Sequence, residues 1–482
     1  MKENHVEQQA EQQAYLMGYF RSGPGQTHKV EQLHYAYSRD GRRWYELNGN
    51  KPVWAASVGE GILRDPFIGR GADGKWHMVY TIRPKGPSIG YAVSDDLIHW
   101  TDERVLPLMR NVPDTVNSWA PEFSCDAATG EYLVYWASST GKDLSNSKHY
   151  AARTRDWMTF SPAELFFDPG FQTIDASIAE HGGRFYMAVK DESHVYEPAR
   201  FPHAPMNFLA AADRLEGPYE PVPGFRTPDY TEAPEFLWIE REGKWLLLYD
   251  YWAYGKFGMM ESTDMIRWSE ELEESKTRIP YRARHATVFP ISEGELRLLL
   301  ERYALQARYP TTTYAPVRVS TWGSSGFQHD EFTLRTVALQ IRPDSLQGTQ
   351  VLYDEGDTEN GLALRLRDGR LEGVVRSHGG QLIAAGEAGA LSVGQWQHVA
   401  LVFEEGQLRL YAGGAMVAEA KASFVMVRAH EHPGGYGGRF GQDAFGDSEG
   451  KAAFGGAIRD VRVYAVSLQA EDILAMIPEV LR

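Results

Sequence analysis

The stretch Glu232-Ala-Pro-Glu-Phe-Leu-Trp-Ile239 restates an earlier one, Trp119-Ala-Pro-Glu-Phe-Ser-Cys125, in which an inner residue precedes Ala-Pro-Glu and an apolar run. Three more positions fall into step with these two: Asp65-Pro66, Asp175-Ala176 and His285-Ala286. Successive intervals from Asp65 through Trp119, Asp175 and Glu232 to His285 are 54, 56, 57 and 53 residues. Self-similarity at a fixed period marks a repeated supersecondary unit. The five residues are therefore expected at one equivalent place in five copies, and three of them are acids.

A second repeat, Ser-x-Asp-x-x-x-aromatic, runs between the first marks. It appears as Ser38 to Trp44, Ser94 to Trp100, Thr154 to Phe160, Ala211 to Tyr219 with two extra residues, and Ser262 to Trp268. Each copy follows a strand-like stretch such as Ile89–Val93, so it reads as the turn leaving a third strand. Middle strands such as Lys75–Tyr80, Glu131–Trp136, Arg184–Lys190 and Lys244–Tyr249 follow Gly-containing turns. Short strands in fours at this period are the signature of a β-propeller, whose inner strands line a central channel. Five blades are expected. The copy after His285 lacks its own Ser-x-Asp turn, while residues 14–47 carry strands and a turn with no inner strand; the N-terminal strands are expected to complete the last blade and remove its exposed edge.

The 482 residues are 43% hydrophobic and 12% aromatic, ample for a core, and the net charge of −16 argues against nucleic acid and anionic membrane surfaces as partners. A lone cysteine, Cys125, rules out an internal disulfide and reads as a buried packing residue. The polar start of the chain has no apolar leader, and no apolar run approaches a membrane span, which reads as cytoplasmic.

The period stops near residue 320. After the Gly/Ser-rich Thr321–His329, alternating strands such as Leu362–Leu366, Gln397–Phe403, Gln407–Tyr411 and Ile458–Tyr464 argue for a second all-β domain, a sandwich. The chain is thus divided into a propeller over 1–320 and a sandwich over 330–482. Gly394-Gln-Trp-Gln-His-Val-Ala-Leu-Val-Phe403 and Phe454-Gly-Gly-Ala-Ile-Arg-Asp-Val-Arg-Val-Tyr464 resemble the laminin-G-like, concanavalin-type jelly rolls, a likeness that speaks for fold more than for function.

Inner strands of a propeller begin near the channel mouth, so Asp65, Asp175 and Glu232 should converge there with Trp119 and His285 between them. Three carboxylates in one partly desolvated funnel cannot all keep ordinary pKa values. Glycoside hydrolysis asks for that arrangement, a protonated acid for the leaving oxygen beside an ionised partner. An Asp before Pro is also a common turn former, but three acids on one phase of a repeat are not explained by turns.

Read together, Asp65-Pro66, Trp119-Ala-Pro-Glu122, Ile174-Asp175, Glu232-Ala-Pro234 and Arg284-His285 resemble, in order, the blade motifs of glycoside hydrolase family 43, five-bladed inverting enzymes. The resemblance covers roughly residues 14–305. It implies Asp65 as general base, Glu232 as general acid, and Asp175 as the residue that orients Glu232 and, as an ionised neighbour, raises its pKa. It implies substrate-binding roles for Trp119, Glu122, Glu235, Arg284 and His285, with Glu235 also the fallback acid. No cofactor is required; a channel calcium or sodium ion held by His285 is the one ion the resemblance allows. The implied substrate is an oligosaccharide with terminal arabinofuranosyl or xylosyl units, with galactofuranosides and galactosides as alternatives, and Trp54, Trp119, Tyr251 and Trp252 are candidate platforms for sugar rings. Arg64-Asp-Pro66 also resembles fructan-cleaving propellers, but residues 15–23 lack the earlier acid those need. The rival from another class is a non-catalytic carbohydrate-binding propeller.

Overall fold

The computed structural model describes residues 12–22, 30–126, 129–252, 254–309, 317–318, 330–430, 434–439, 444–447, 452–478 and 481. These form two compact units, one up to Arg302 and one from Tyr303 onward.

In the first unit five antiparallel sheets follow the repeat. Blade one is Arg64–Arg70, Trp76–Thr81, Ile89–Ser94 and Trp100–Leu106; blade two is Trp119–Asp126, Glu131–Ser138, Lys148–Thr154 and Glu164–Phe167. Blade three is Thr173–His181, Arg184–Asp191, Met206–Ala212 and Glu220–Arg226. Blade four has three strands, Glu232–Ile239, Lys244–Tyr251 and Lys256–Ser262, its expected fourth being reduced to a bridge between Ser262 and Trp268. Blade five joins Ala283–Ser292 to Gln12–Arg21, His34–Ser38 and Tyr45–Glu46, with Met17 opposite Val288 and Leu16 opposite Phe289. The two ends of the propeller sequence are thus hydrogen-bonded into one sheet, and the ring closes where the missing turn placed the seam.

The middle strands are buried almost end to end, Trp76–Thr81 throughout, because each blade is covered on both faces by its neighbours. They therefore read as continuous apolar runs and not as alternation. Separate cores fill the gaps between successive blades, such as Val79, Tyr91, Phe123, Val134 and Trp157 between blades one and two. At the seam the backbone of Gly18 comes so close that a Cβ would stand 3.0 Å from Ile68 Cδ1 and 3.1 Å from Thr287 Cγ2, which explains a glycine inside that strand.

The Ser-x-Asp turns leave the third strands. Ser94 Oγ accepts the Leu97 amide at 2.9 Å while Asp96 Oδ1 accepts those of Ile98 and His99, and the turns at Ser38, Thr154 and Ser262 repeat the pattern. The Ala211 copy has no hydroxyl, and its Asp213 is exposed. Cys125 is half-buried beside the core between blades one and two.

The second unit packs two six-stranded antiparallel sheets around one core that includes Leu339, Leu364, Leu401, Leu410 and Ile458. It begins earlier than the change of texture suggests, because Leu305–Tyr309 pairs with Gly456–Tyr464 as an edge strand of the sandwich. Residues 321–329 of the expected linker lie outside the described residues.

Candidate active site

Each inner strand carries a bulge near its start. Pairing skips from Arg64 to Phe67, Trp119 to Glu122, Ile174 to Ala176, Glu232 to Glu235, and Arg284 to Thr287. One residue in every bulge is left-handed: Asp65 (φ 49°), Ala120 (44°), Asp175 (55°), Ala233 (49°) and His285 (38°). These five are the structurally equivalent positions. Trp119 and Glu232 stand one step before them, in register with Arg64, Ile174 and Arg284, so the equivalence expected from the period is offset by one residue in blades two and four. A left-handed non-glycine costs on the order of 1–3 kcal/mol and gathers at functional sites; bulges re-aim side chains at barrel rims.

The freed amides are caught by the preceding blade. Ala120 N–H donates to Thr81 Oγ1 at 3.0 Å, Ala233 N–H to Asp175 Oδ2 at 3.2 Å, and His285 N–H to Asp250 Oδ2 at 3.2 Å. Side chains at the mouth thereby lock neighbouring bulges.

Asp65 accepts from Thr81 Oγ1 at 2.8 Å, and its other oxygen lies 3.2 Å from His285 Nδ1. Burial alone would raise its pKa, but the facing histidine charge, the histidine and threonine hydrogen bonds and Arg64 together hold it below the ordinary carboxylate value. Burial opposes the His285 charge as well; Asp65, Asp175 and Glu232 overcome it and raise the imidazole to about 9. Glu232 is gripped at both oxygens, Oε2 by Lys190 Nζ at 2.8 Å and Oε1 by Arg284 Nη2 at 2.6 Å. Against its burial, these cations lower its pKa. Arg284 also pairs with the fully buried Asp250. Among the described residues no cationic group hydrogen-bonds Asp175, and burial, reinforced by Glu232 and Asp65, raises it to about 7 in spite of His285 and Lys190.

The order of charge is thus the reverse of the one expected. Glu232 is lowered and Asp175 raised, because Lys190 and Arg284 hydrogen-bond the first and not the second.

One layer deeper, Glu122 and Glu235 meet across the channel. Glu122 is 6% and Glu235 5% exposed. Tyr135 donates to Glu122 at 2.8 Å, while Ser177, Thr287 and the Val288 amide donate to Glu235. Burial raises both, Glu235 to about 7, and Glu235 further raises Glu122. Glu122 therefore sits below the surface a sugar would meet, contrary to the substrate contact expected of it. Trp119 remains partly exposed, its ring nitrogen donating to Pro84 O at 2.9 Å.

Three residues that sequence reading passed over complete the site: Thr81, Lys190 and Asp250. Each stands last or next to last in an apolar middle strand and is paired with the residue before a bulge. A polar or charged side chain closing an apolar strand was the available signal.

His285 Nδ1 faces Asp65 Oδ1 at 3.2 Å, and among the described residues no three His, Cys, Asp or Glu groups gather as a metal site.

A five-bladed propeller whose mouth gathers three acids in unlike charge states is the framework of a glycoside hydrolase. Residues 10–297 match a family model described as a probable glycosyl hydrolase domain related to family 43, and residues 311–474 match the concanavalin A-like lectin/glucanases superfamily. The first match covers more than half of the chain, which belongs to that family 43-related group of glycosyl hydrolases. Among curated proteins, an α-L-arabinofuranosidase of Bifidobacterium longum subsp. longum is 25% identical over 175 residues, 30% of this chain and 16% of its own length; the chain thus aligns with less than a fifth of that relative. Solved structures that resemble it include a xylan β-1,4-xylosidase from Bacillus halodurans (14% identity, 94% of this chain and 96% of that one, TM-score 0.37). An α-L-arabinofuranosidase from Lactobacillus brevis gives 17% identity, 48% and 80% coverage and TM-score 0.39. At these scores they carry no argument, and the fold rests on the blade sheets themselves. No helix among the described residues is long and apolar enough to cross a membrane.

Proposed function

We propose that this glycosyl hydrolase releases terminal pentofuranosyl or pentosyl units, of the α-L-arabinofuranosidase or β-xylosidase type, from oligosaccharides by an inverting two-carboxylate mechanism. The observation that carries the reading is the meeting of three acids at one channel mouth: Asp65, bonded to Thr81 and facing His285, and Asp175, bonded to the amide that follows Glu232. Asp65 serves as the base that takes a proton from the attacking water. Glu232 serves as the acid for the departing oxygen, and Asp175, bonded to the amide next to Glu232, orients it. Arg284 and His285 fix the positions of Glu232 and Asp65 by ion pairs, and Trp119 offers an edge for a sugar ring.

The pentose preference draws on the family and on the arabinofuranosidase likeness over part of the chain. A panel of nitrophenyl α-L-arabinofuranoside, β-D-xyloside, β-D-galactofuranoside and β-D-galactoside tests it: highest kcat/KM on one of the first two supports the reading, and a galactofuranoside or galactoside preference moves it to the alternative. The grip of two cations on Glu232 favours one second reading, a propeller that binds oligosaccharide without cleaving it. Saturable sugar binding with no release from any of the four would establish that instead.

A further inference from the structure

Glu232 must carry a proton to act as an acid, and a carboxyl needs one oxygen free of cations to carry it. Here both oxygens are taken. Arg284 is held twice, by Glu232 and by the buried Asp250, and cannot leave without stranding a carboxylate in the core. Lys190 is placed differently. Its side chain is 4% exposed, and its Nζ lies 2.8 Å from Glu232 Oε2 and 2.7 Å from Glu192 Oε2. The ammonium is thus shared between the two acids and already paired with each. A small turn of the ammonium on its flexible stem gives it wholly to Glu192.

We propose that Lys190 is a positioning residue that alternates between Glu232 and Glu192, and that Glu232 takes up its catalytic proton when the ammonium turns to Glu192. The inference rests on the glycosidase reading above. In this step solvent supplies one proton to Glu232, Lys190 remains an ammonium, and no bond to carbon changes. The charged and titratable groups acting on Glu232 come from three blades: Asp175, Lys190 and Glu192 from blade three, Asp250 from blade four, and Arg284 and His285 from blade five. Of these, Lys190 is the group that bridges Glu232 to Glu192.

Two readouts test it, the pH profile of kcat/KM and the infrared carboxyl band that is lost in Glu232→Gln. Lys190→Met should move the alkaline limb upward by about one pH unit, and Lys190→Arg, which keeps the charge, should bring it back. Glu192→Gln should move the limb downward and lower kcat about tenfold with KM little changed, because Lys190 is then pinned on Glu232. In the double variant Glu192→Gln should have no effect. An equal shift from Glu192→Gln with and without Lys190 would overturn the proposal, since Glu192 would then act only as a fixed charge. The infrared band needs no turnover: a Glu232 band unmoved by Lys190→Met overturns the alternation even in an active enzyme. A band that moves as expected in a protein that cleaves nothing refutes only the glycosidase reading.

Discussion

His285 Nδ1 lies 3.2 Å from Asp65 Oδ1, so the left-handed residues of blades five and one are paired beside the blade-five sheet in which the ring closes. This pair holds Asp65 ionised and its partner charged, and it links the integrity of the ring to the state of the proposed base.

Asp65→Asn should remove turnover while leaving the fold, since the amide oxygen still accepts from Thr81 and neither neighbour is displaced. A lost general base costs about 10²–10⁴ in kcat. Oligosaccharide affinity by calorimetry should stay within a few-fold of the wild-type value; loss of both binding and turnover would point to a collapsed mouth.

The anomeric outcome follows from the separation of the two acting carboxyls. An inverting pair stands about 6.5–9.5 Å apart to admit a water, and a retaining pair about 5–5.5 Å. Proton NMR of the first sugar released should show the inverted anomer, and a retained anomer would refute the assignment of Asp65 as a base acting on water.

Glu232→Ala should discriminate between leaving groups. Natural oligosaccharides, which need protonation as the bond breaks, should lose about 10²–10⁴-fold, whereas activated aryl glycosides should lose far less. Comparable losses on both substrates would show that Glu232 supports the fold and is not the acid.

The Glu122–Glu235 pair makes stability depend on pH. The folded pKa of Glu235, about 7, stands above the ordinary 4.5, so its contribution is complete below about pH 4.5 and lost as pH rises through 7. Relative to Glu235→Gln, which keeps an oxygen toward Thr287 and cannot ionise, the wild type should lose on the order of 2 kcal/mol between pH 4.5 and 7.5. Urea midpoints at the two pH values measure it, and a constant difference between the proteins would mean that the pair does not hold a proton.

Ring closure can be tested away from the mouth. Trp44 is fully buried, packs between blades four and five with Leu237, Leu246 and Met259, and donates its ring N–H to Gly41 O at 3.0 Å. Trp44→Ala should cost about 3–5 kcal/mol, seen as a lower denaturation midpoint with the Asp65-dependent chemistry intact in the protein that remains folded.

Much of the fold was legible because a propeller is built from a local rule applied five times. The period, the Ser-x-Asp turns and the unpaired N-terminal strands each report on neighbours in sequence, and together they lead to five blades and a shared last sheet. The sandwich boundary was read late because the strand Leu305–Tyr309 takes its meaning from a partner some 150 residues away, Gly456–Tyr464, which no local pattern announces.

The sequence by itself determined which acids enter the channel, since the first strand of each blade begins at one phase of the repeat and Asp65, Asp175 and Glu232 fall on or beside it. Only the tertiary structure decided what those acids are. The bulges separate Asp65, Asp175 and His285 from Glu232 by one step of the strand, and the charges that set their protonation come from other blades: Lys190 is 42 residues from Glu232 along the chain and Arg284 is 52. Protonation follows distance through space and burial, and neither is written in the period.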